Sequence, residues 1–160
     1  MNPPIEEAFA KQLTGESLKN GLNFVSFMQE HKFIFKGKGA KWDTYSSCWK
    51  LLYRRRIYAT ILIEKNQTFG VYCDFDASFQ VDNDLRKAIL AKIPTCPQEP
   101  CKSANHLCKT SITDYRILGM KYERVCHCPV QFQNPDADDI DTLQKIMLLY
   151  KEKALAQVKH

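Results

Sequence analysis

Glycine is scarce in this 160-residue chain, with six in all, and no two of them sit in a run that could cradle a phosphate. The chain also lacks a C-x-x-C pair, an H-E-x-x-H helix and a G-x-S-x-G elbow. These absences remove the dithiol redox centre, the zinc protease helix, the nucleotide P-loop and the serine-hydrolase turn from consideration. No apolar run approaches the roughly 20 residues needed to cross a bilayer. The opening MNPPIEEAFAKQ has neither the basic nor the apolar region of a secretory leader, so the expected location is cytoplasmic, with no membrane partner. Internal repeats, low-complexity tracts and long linkers are absent too, which makes a single domain over 1–160 the expectation.

What is present supports a folded core: 44% of residues are apolar and 11% aromatic. Seven cysteines are an odd number that cannot pair completely within one chain, and a reducing compartment would keep them as thiols. The net charge of +5 is concentrated, since Lys32 to Lys65 holds nine basic residues against Asp43 and Glu64. Such a stretch attracts nucleic acid, an acidic partner or an anionic small molecule, or else is the solvated face of a sheet.

Leu18, Leu22, Val25 and Met28 recur at helical spacing, with Phe24 and Phe27 beside them, and predict an amphipathic helix ending near His31 that Gly21 slightly weakens. KGKGAKWDTYSS reads as a loop. Three strands follow, CWKLLYRRR, IYATILI and FGVYCDF, with Ile57, Ala59, Ile61 and Ile63 on one face of the second and a hairpin at Glu64–Gln67. DLRKAILAKI predicts a short helix stopped by Pro94. Ser111–Leu118 and Tyr122–Phe132 predict two more strands, the latter an edge or a bulge because of Pro129. The last helix takes Asn134 as N-cap and Pro135 as its first residue, and buries Ile140, Leu143, Met147, Tyr150 and Ala154. The fold class expected is α+β, an antiparallel sheet of four or five strands with about three helices packed on it.

Thr95 to Cys128 contains five of the seven cysteines and two of the four histidines. Cys126 and Cys128 alternate with Val130 and Phe132 and read as small core residues, as does Cys73 among Phe69, Val71 and Phe75. Cys96, Cys101 and Cys108 lie in a polar segment with no periodicity that would bury them. The expectation is a structural zinc held by Cys96, Cys101 and Cys108, with Cys126 or a histidine as fourth ligand, stapling a loop over 95–110 that is too polar to order itself. The rival is a nucleophilic thiol with a histidine base, Cys108 with His127 or Cys101 with His106, in a cysteine- or metal-dependent enzyme.

Trp42, Trp49, Tyr53, Tyr58 and Tyr72 interleave with Lys41, Lys50 and Arg54 to Arg56. That combination predicts a small-ligand pocket on an aromatic sheet face, or a surface that stacks single-stranded nucleic acid. A binding or regulatory module with an unknown small-molecule or protein partner, rather than a catalyst, is the expected function.

The runs WDTYSSCWKLLYRRRIYATILI, Trp42 to Ile63, and FQNPDADDIDTLQKIMLL, Phe132 to Leu149, resemble parts of small bacterial proteins of the Firmicutes type, grouped as domains of unknown function and including YdhG-like proteins. The resemblance implies helices packed on an antiparallel sheet. It brings no activity, cofactor or catalytic residue with it.

Overall fold

The computed structural model describes residues 4–38, 45–75, 78–94, 112–126 and 129–158. Among these residues it is an α+β fold with four helices, α1 (Ile5–Gln12), α2 (Gly15–Glu30), α3 (Asn83–Leu90) and α4 (Ala137–Ala156). Seven strands accompany them: β1 (Ile34–Lys38), β2 (Tyr45–Tyr53), β3 (Arg56–Glu64), β4 (Phe69–Cys73), β5 (Ile112–Ile117), β6 (Met120–Cys126) and β7 (Val130–Gln133). The open five-stranded sheet has the order β1-β2-β3-β4-β7, and β5 and β6 form a separate two-stranded sheet. The chain divides into two compact units, Met1–Val71 with Phe132–His160, and Tyr72–Gln131.

In the first unit the sheet buries one face under helices. Trp49 and Leu51 on β2 and Ala59, Ile61 and Ile63 on β3 are all buried there. They alternate with Lys50, Leu52 and Thr60, which are half-buried and belong to the outer face. α1 lies against β2 and β3, and α2 packs on α1 and α4. The predicted stripe of α2 is rotated: Leu22 is exposed, whereas Asn20, Gly21, Phe24, Val25 and Met28 are buried. Gly21 sits at the centre because Phe9 of α1 lies against it, and a Cβ there would come within 2.8 Å of Phe9 Cε2. The close approach of two helices needs a residue without a side chain. Sequence periodicity reads such a gap as a weak point.

α4 buries Ile140, Leu143, Met147, Tyr150 and Ala154 as predicted, together with Ile146. Its start is two residues later than expected, because Asp136 is the N-cap and forms a reciprocal capping box with Asp139. Asn134 instead takes a left-handed conformation and donates its backbone N–H to Phe69 O at 2.7 Å. Pro135 O accepts from the buried Asn20 Nδ2 at 3.2 Å, which ties α2 to the entrance of α4. That contact satisfies both polar groups away from water.

Two strand expectations change. The segment read as a loop from Lys36 contains the end of β1, whose Gly37 pairs with Trp49 and lies under its ring. A Cβ at Gly37 would meet Trp49 Cζ3 at 3.0 Å, so the glycine marks a cross-strand aromatic contact rather than a break in the strand. The strand expected from Tyr122 to Phe132 is two strands, β6 in the small sheet and β7 in the large one. Pro129 lies in the stretch between them, where it cannot donate to a ladder. Val130 and Phe132 share one face of β7, whereas Cys128 and the side chain of Cys126 lie outside the described residues. Val130 and Phe132 are buried, as are Cys48 and Cys73.

The second unit contains α3, capped by the Asp82 carboxylate accepting from Leu85 N, and the β5–β6 hairpin. Arg86 donates to Leu118 O at 2.6 Å, fastening the helix to the hairpin turn at Leu118–Gly119. Both turn residues have positive φ, 50° and 80°.

Candidate functional site at the β2–β3 hairpin

β2 and β3 are joined by two residues, Arg54 and Arg55, with Tyr53 and Arg56 paired on either side. Their φ angles are 48° and 68°. A two-residue hairpin loop with positive φ at both positions is the type that asks for Asn-Gly or a similar pair, since a Cβ is disfavoured there. The β5–β6 turn meets the same demand with a glycine at its second position. Here both positions are arginine, and each holds a strain of about 1 kcal/mol relative to glycine.

The next irregularity is in β3. Leu51 pairs with Ala59 but Leu52 pairs with Ile57, so Tyr58 is an extra residue in the ladder. The bulge corrects the expected face of β3. Ile57 leaves the side of Ala59, Ile61 and Ile63 and is 57% exposed on the outer face. Tyr58 turns toward the helices, with its ring centroid 4.9 Å from that of Tyr150 on α4 and 6.3 Å from Phe33.

Phe33 also packs on Tyr53, with centroids 5.1 Å apart. Tyr53, Tyr58, Phe33 and Tyr150 thus form one aromatic cluster under α4. The expected pocket residues Trp49 and Tyr53 are 5% and 7% exposed, and Tyr58 is half-buried. Trp49 Nε1 donates to Ser47 Oγ at 3.2 Å, and its ring is occupied with Gly37. These three side chains take the positions of packed interior groups. Tyr72 is half-buried on β4 and belongs to the other unit, and Trp42 lies outside the described residues.

The edge of this cluster is cationic. The Arg54 guanidinium carbon is 5.7 Å from the Tyr53 ring centroid, and Lys151 Nζ of α4 is 5.8 Å from the same centroid. Arg56 donates to Gln157 Oε1, the residue that caps α4, at 3.3 Å. Lys32, with φ 69°, precedes the Phe33 that packs on Tyr53. Ion pairs among the described residues join Lys19 to Glu16, Lys121 to Glu123 and Lys145 to Asp141. None of them involves the arginines of the hairpin. The C-terminal end of α4 carries the negative pole of the helix dipole and offsets part of the charge at Arg56. Arg54 and Arg55 stand exposed.

The cysteine expectation falls mostly elsewhere. Cys96, Cys101 and Cys108 lie outside the described residues, and the backbone of Cys126 is in β6 opposite Ile112. Among the described residues no group of three or more His, Cys, Asp or Glu side chains could hold a metal ion, and no helix is long and apolar enough to cross a membrane. No protein-family model, curated protein or solved structure matches the chain.

Proposed function

We propose that the protein is a non-catalytic binding module that recognises an anionic partner through the β2–β3 hairpin tip. The observation that carries this reading is the pair of adjacent arginines held exposed in left-handed backbone, in a turn where glycine or asparagine would be less strained. Backbone strain that packing does not require points to a use for the side chains it displays. Tyr53 supplies the platform: its ring supports two cations and keeps them at the surface beside Arg55.

Labelled polyglutamate is expected to bind the protein with an affinity that falls steeply between roughly 50 and 200 mM salt. Arg54→Gln with Arg55→Gln, which removes charge and keeps a Cβ at both positions, should weaken binding by about tenfold or more, the loss of about 1.4 kcal/mol. Unchanged binding by that variant would reject the hairpin as the site.

A second reading, independent of the first, keeps the structural zinc on Cys96, Cys101, Cys108 and Cys126. What supports it is that Cys126 is paired with Ile112, four residues after Cys108, a distance of at most about 14 Å along extended chain. Zinc would order a polar segment that has no apolar stripe of its own. Cys48 and Cys73 are buried and shielded whatever the metal content, so total thiol reactivity is a poor readout. The expected result is one zinc per chain, with four thiols becoming reactive on chelation. Metal-free protein whose thiol reactivity does not change with chelator would contradict it.

A further inference from the structure

The bulge at Tyr58 has an effect opposite to what hydrophobicity alone would select, since it turns a tyrosine toward the helices and leaves an isoleucine in water. Ile57 is paired with Leu52, and Leu52 with Ile34, so three aliphatic side chains line up across β3, β2 and β1 on the outer face. Ile34 and Ile57 are 65% and 57% exposed and Leu52 is half-buried. Single exposed aliphatics are ordinary on protein surfaces, but a row in register across three strands is a contiguous strip. The next row along the strands is Lys36, Lys50 and Thr60, with Lys50 Nζ 2.6 Å from Thr60 Oγ1. On the opposite side the strip ends at the Arg54–Arg55 turn.

We infer that this strip is the docking surface for an acidic amphipathic helix of a protein partner. Two strand spacings separate Ile34 from Ile57, about 10 Å, which is close to the length of two helical turns. A helix laid across the strands would place its apolar stripe on the three aliphatics. Its carboxylates, on the two shoulders of that stripe, would meet Lys36 and Lys50 on one side and Arg55 on the other, while Arg54 stays over the Tyr53 ring at the helix-covered side. Charge complementarity selects this occupant. A second copy of the chain would set like-charged rows against each other. Single-stranded nucleic acid would find no stacking platform in the strip, because Trp49, Tyr53 and Tyr58 belong to the helix-covered side. The inference rests on the hairpin reading and adds the apolar half of the recognition.

Four probes separate the outcomes: a synthetic helix with a leucine stripe flanked by glutamates, the same peptide with its leucines replaced by alanine, oligothymidylate, and phosphatidylserine-containing vesicles. The leucine peptide is expected to bind about tenfold tighter than the alanine peptide. Ile57→Ser should abolish that difference while leaving the alanine peptide's affinity unchanged, and Arg54→Gln with Arg55→Gln should weaken both peptides. Circular dichroism and a melting curve of Ile57→Ser confirm that an exposed site has been changed without loss of fold. Equal binding of the two peptides, with no effect of Ile57→Ser, overturns the docking strip and leaves the anionic site at the hairpin standing. Binding of neither peptide overturns both. Dependence on Ile57 seen only with vesicles, or binding of oligothymidylate alone, also overturns the protein-helix assignment.

Discussion

Replacing Phe9 by alanine should lower the unfolding free energy by about 3–5 kcal/mol, and adding Gly21→Ala to that variant should raise it again. The first effect follows from complete burial: Phe9 is 0% exposed and packs on Phe69 with ring centroids 5.1 Å apart, so truncation leaves a cavity between α1 and the sheet. The second is a change of sign. In the native background a methyl at Gly21 would lie 2.8 and 2.9 Å from Phe9 Cε2 and Cδ2, and 3.5 Å from Leu13 Cδ1. Phe9 cannot swing away without disturbing Phe69, so overpacking of about 1–3 kcal/mol exceeds the roughly 1 kcal/mol that alanine gains over glycine inside a helix. Once Phe9 is gone the obstacle is gone, and only the helix-propensity gain remains. Urea denaturation of the two single variants and the double variant closes the cycle. Additive effects, with Gly21→Ala carrying the same sign in both backgrounds, would mean that the ring does not rest on the glycine.

Arg54→Asn with Arg55→Gly should make the protein more stable by about 0.5–1 kcal/mol net, while weakening polyglutamate binding about tenfold or more, as the glutamine pair does. Asparagine and glycine both adopt positive φ at little cost, so the strain now held at φ 48° and 68° is released. The gain is partly offset, because the Arg54 guanidinium over Tyr53 contributes about 0.5–1 kcal/mol that is lost with the side chain. Glycine at the second position also gives the unfolded chain more freedom, a smaller loss of the same sign. For a chain of this length each kcal/mol moves the melting temperature by roughly 2–4 °C. The glutamine pair at the same positions serves as the control, since it loses the charge without relieving the backbone and should melt no higher than the native protein. A melting temperature that is unchanged or lower in the Asn-Gly variant would show that the turn is not strained, and the chief argument for its use in recognition would fall.

The parts of this fold that follow from local pattern were legible in the sequence. α4 has a full apolar stripe and an acidic first turn, and both are realised, with only the cap displaced, because Asn134 is left-handed and its Oδ1 accepts from Ser17 Oγ at 2.6 Å. The alternation of β3 from Ala59 to Ile63 and the hairpin that follows it were equally readable. What was not readable depends on contacts distant in sequence. α1 is too short to display a periodicity, and its partner on α2 is a glycine, so neither side of that helix contact carries an apolar signal. β1 was hidden because its Gly37, which looks like a loop residue, is the seat of a tryptophan from the neighbouring strand.

The candidate site itself was half visible. The basic excess between Lys32 and Lys65 and its interleaved aromatics were evident from composition; that Lys36 and Lys50 share the outer face while Arg54 and Arg56 border the aromatics on the helix side was not. Alternation put Ile57 on the buried face, and only the pairing of Leu52 with Ile57 reverses that. A turn made of two arginines carries none of the Asn, Gly or Pro signals by which turns are recognised, so the residues that dominate the surface chemistry looked like the tail of a strand.

The extra residue in β3 also has a genetic consequence. Excising Tyr58 would leave Leu52 opposite Ile57 and Leu51 opposite Ala59, so every other side chain in the hairpin would keep its side. One codon therefore separates this chain from a version with the same exterior, the same turn and one fewer ring beneath α4.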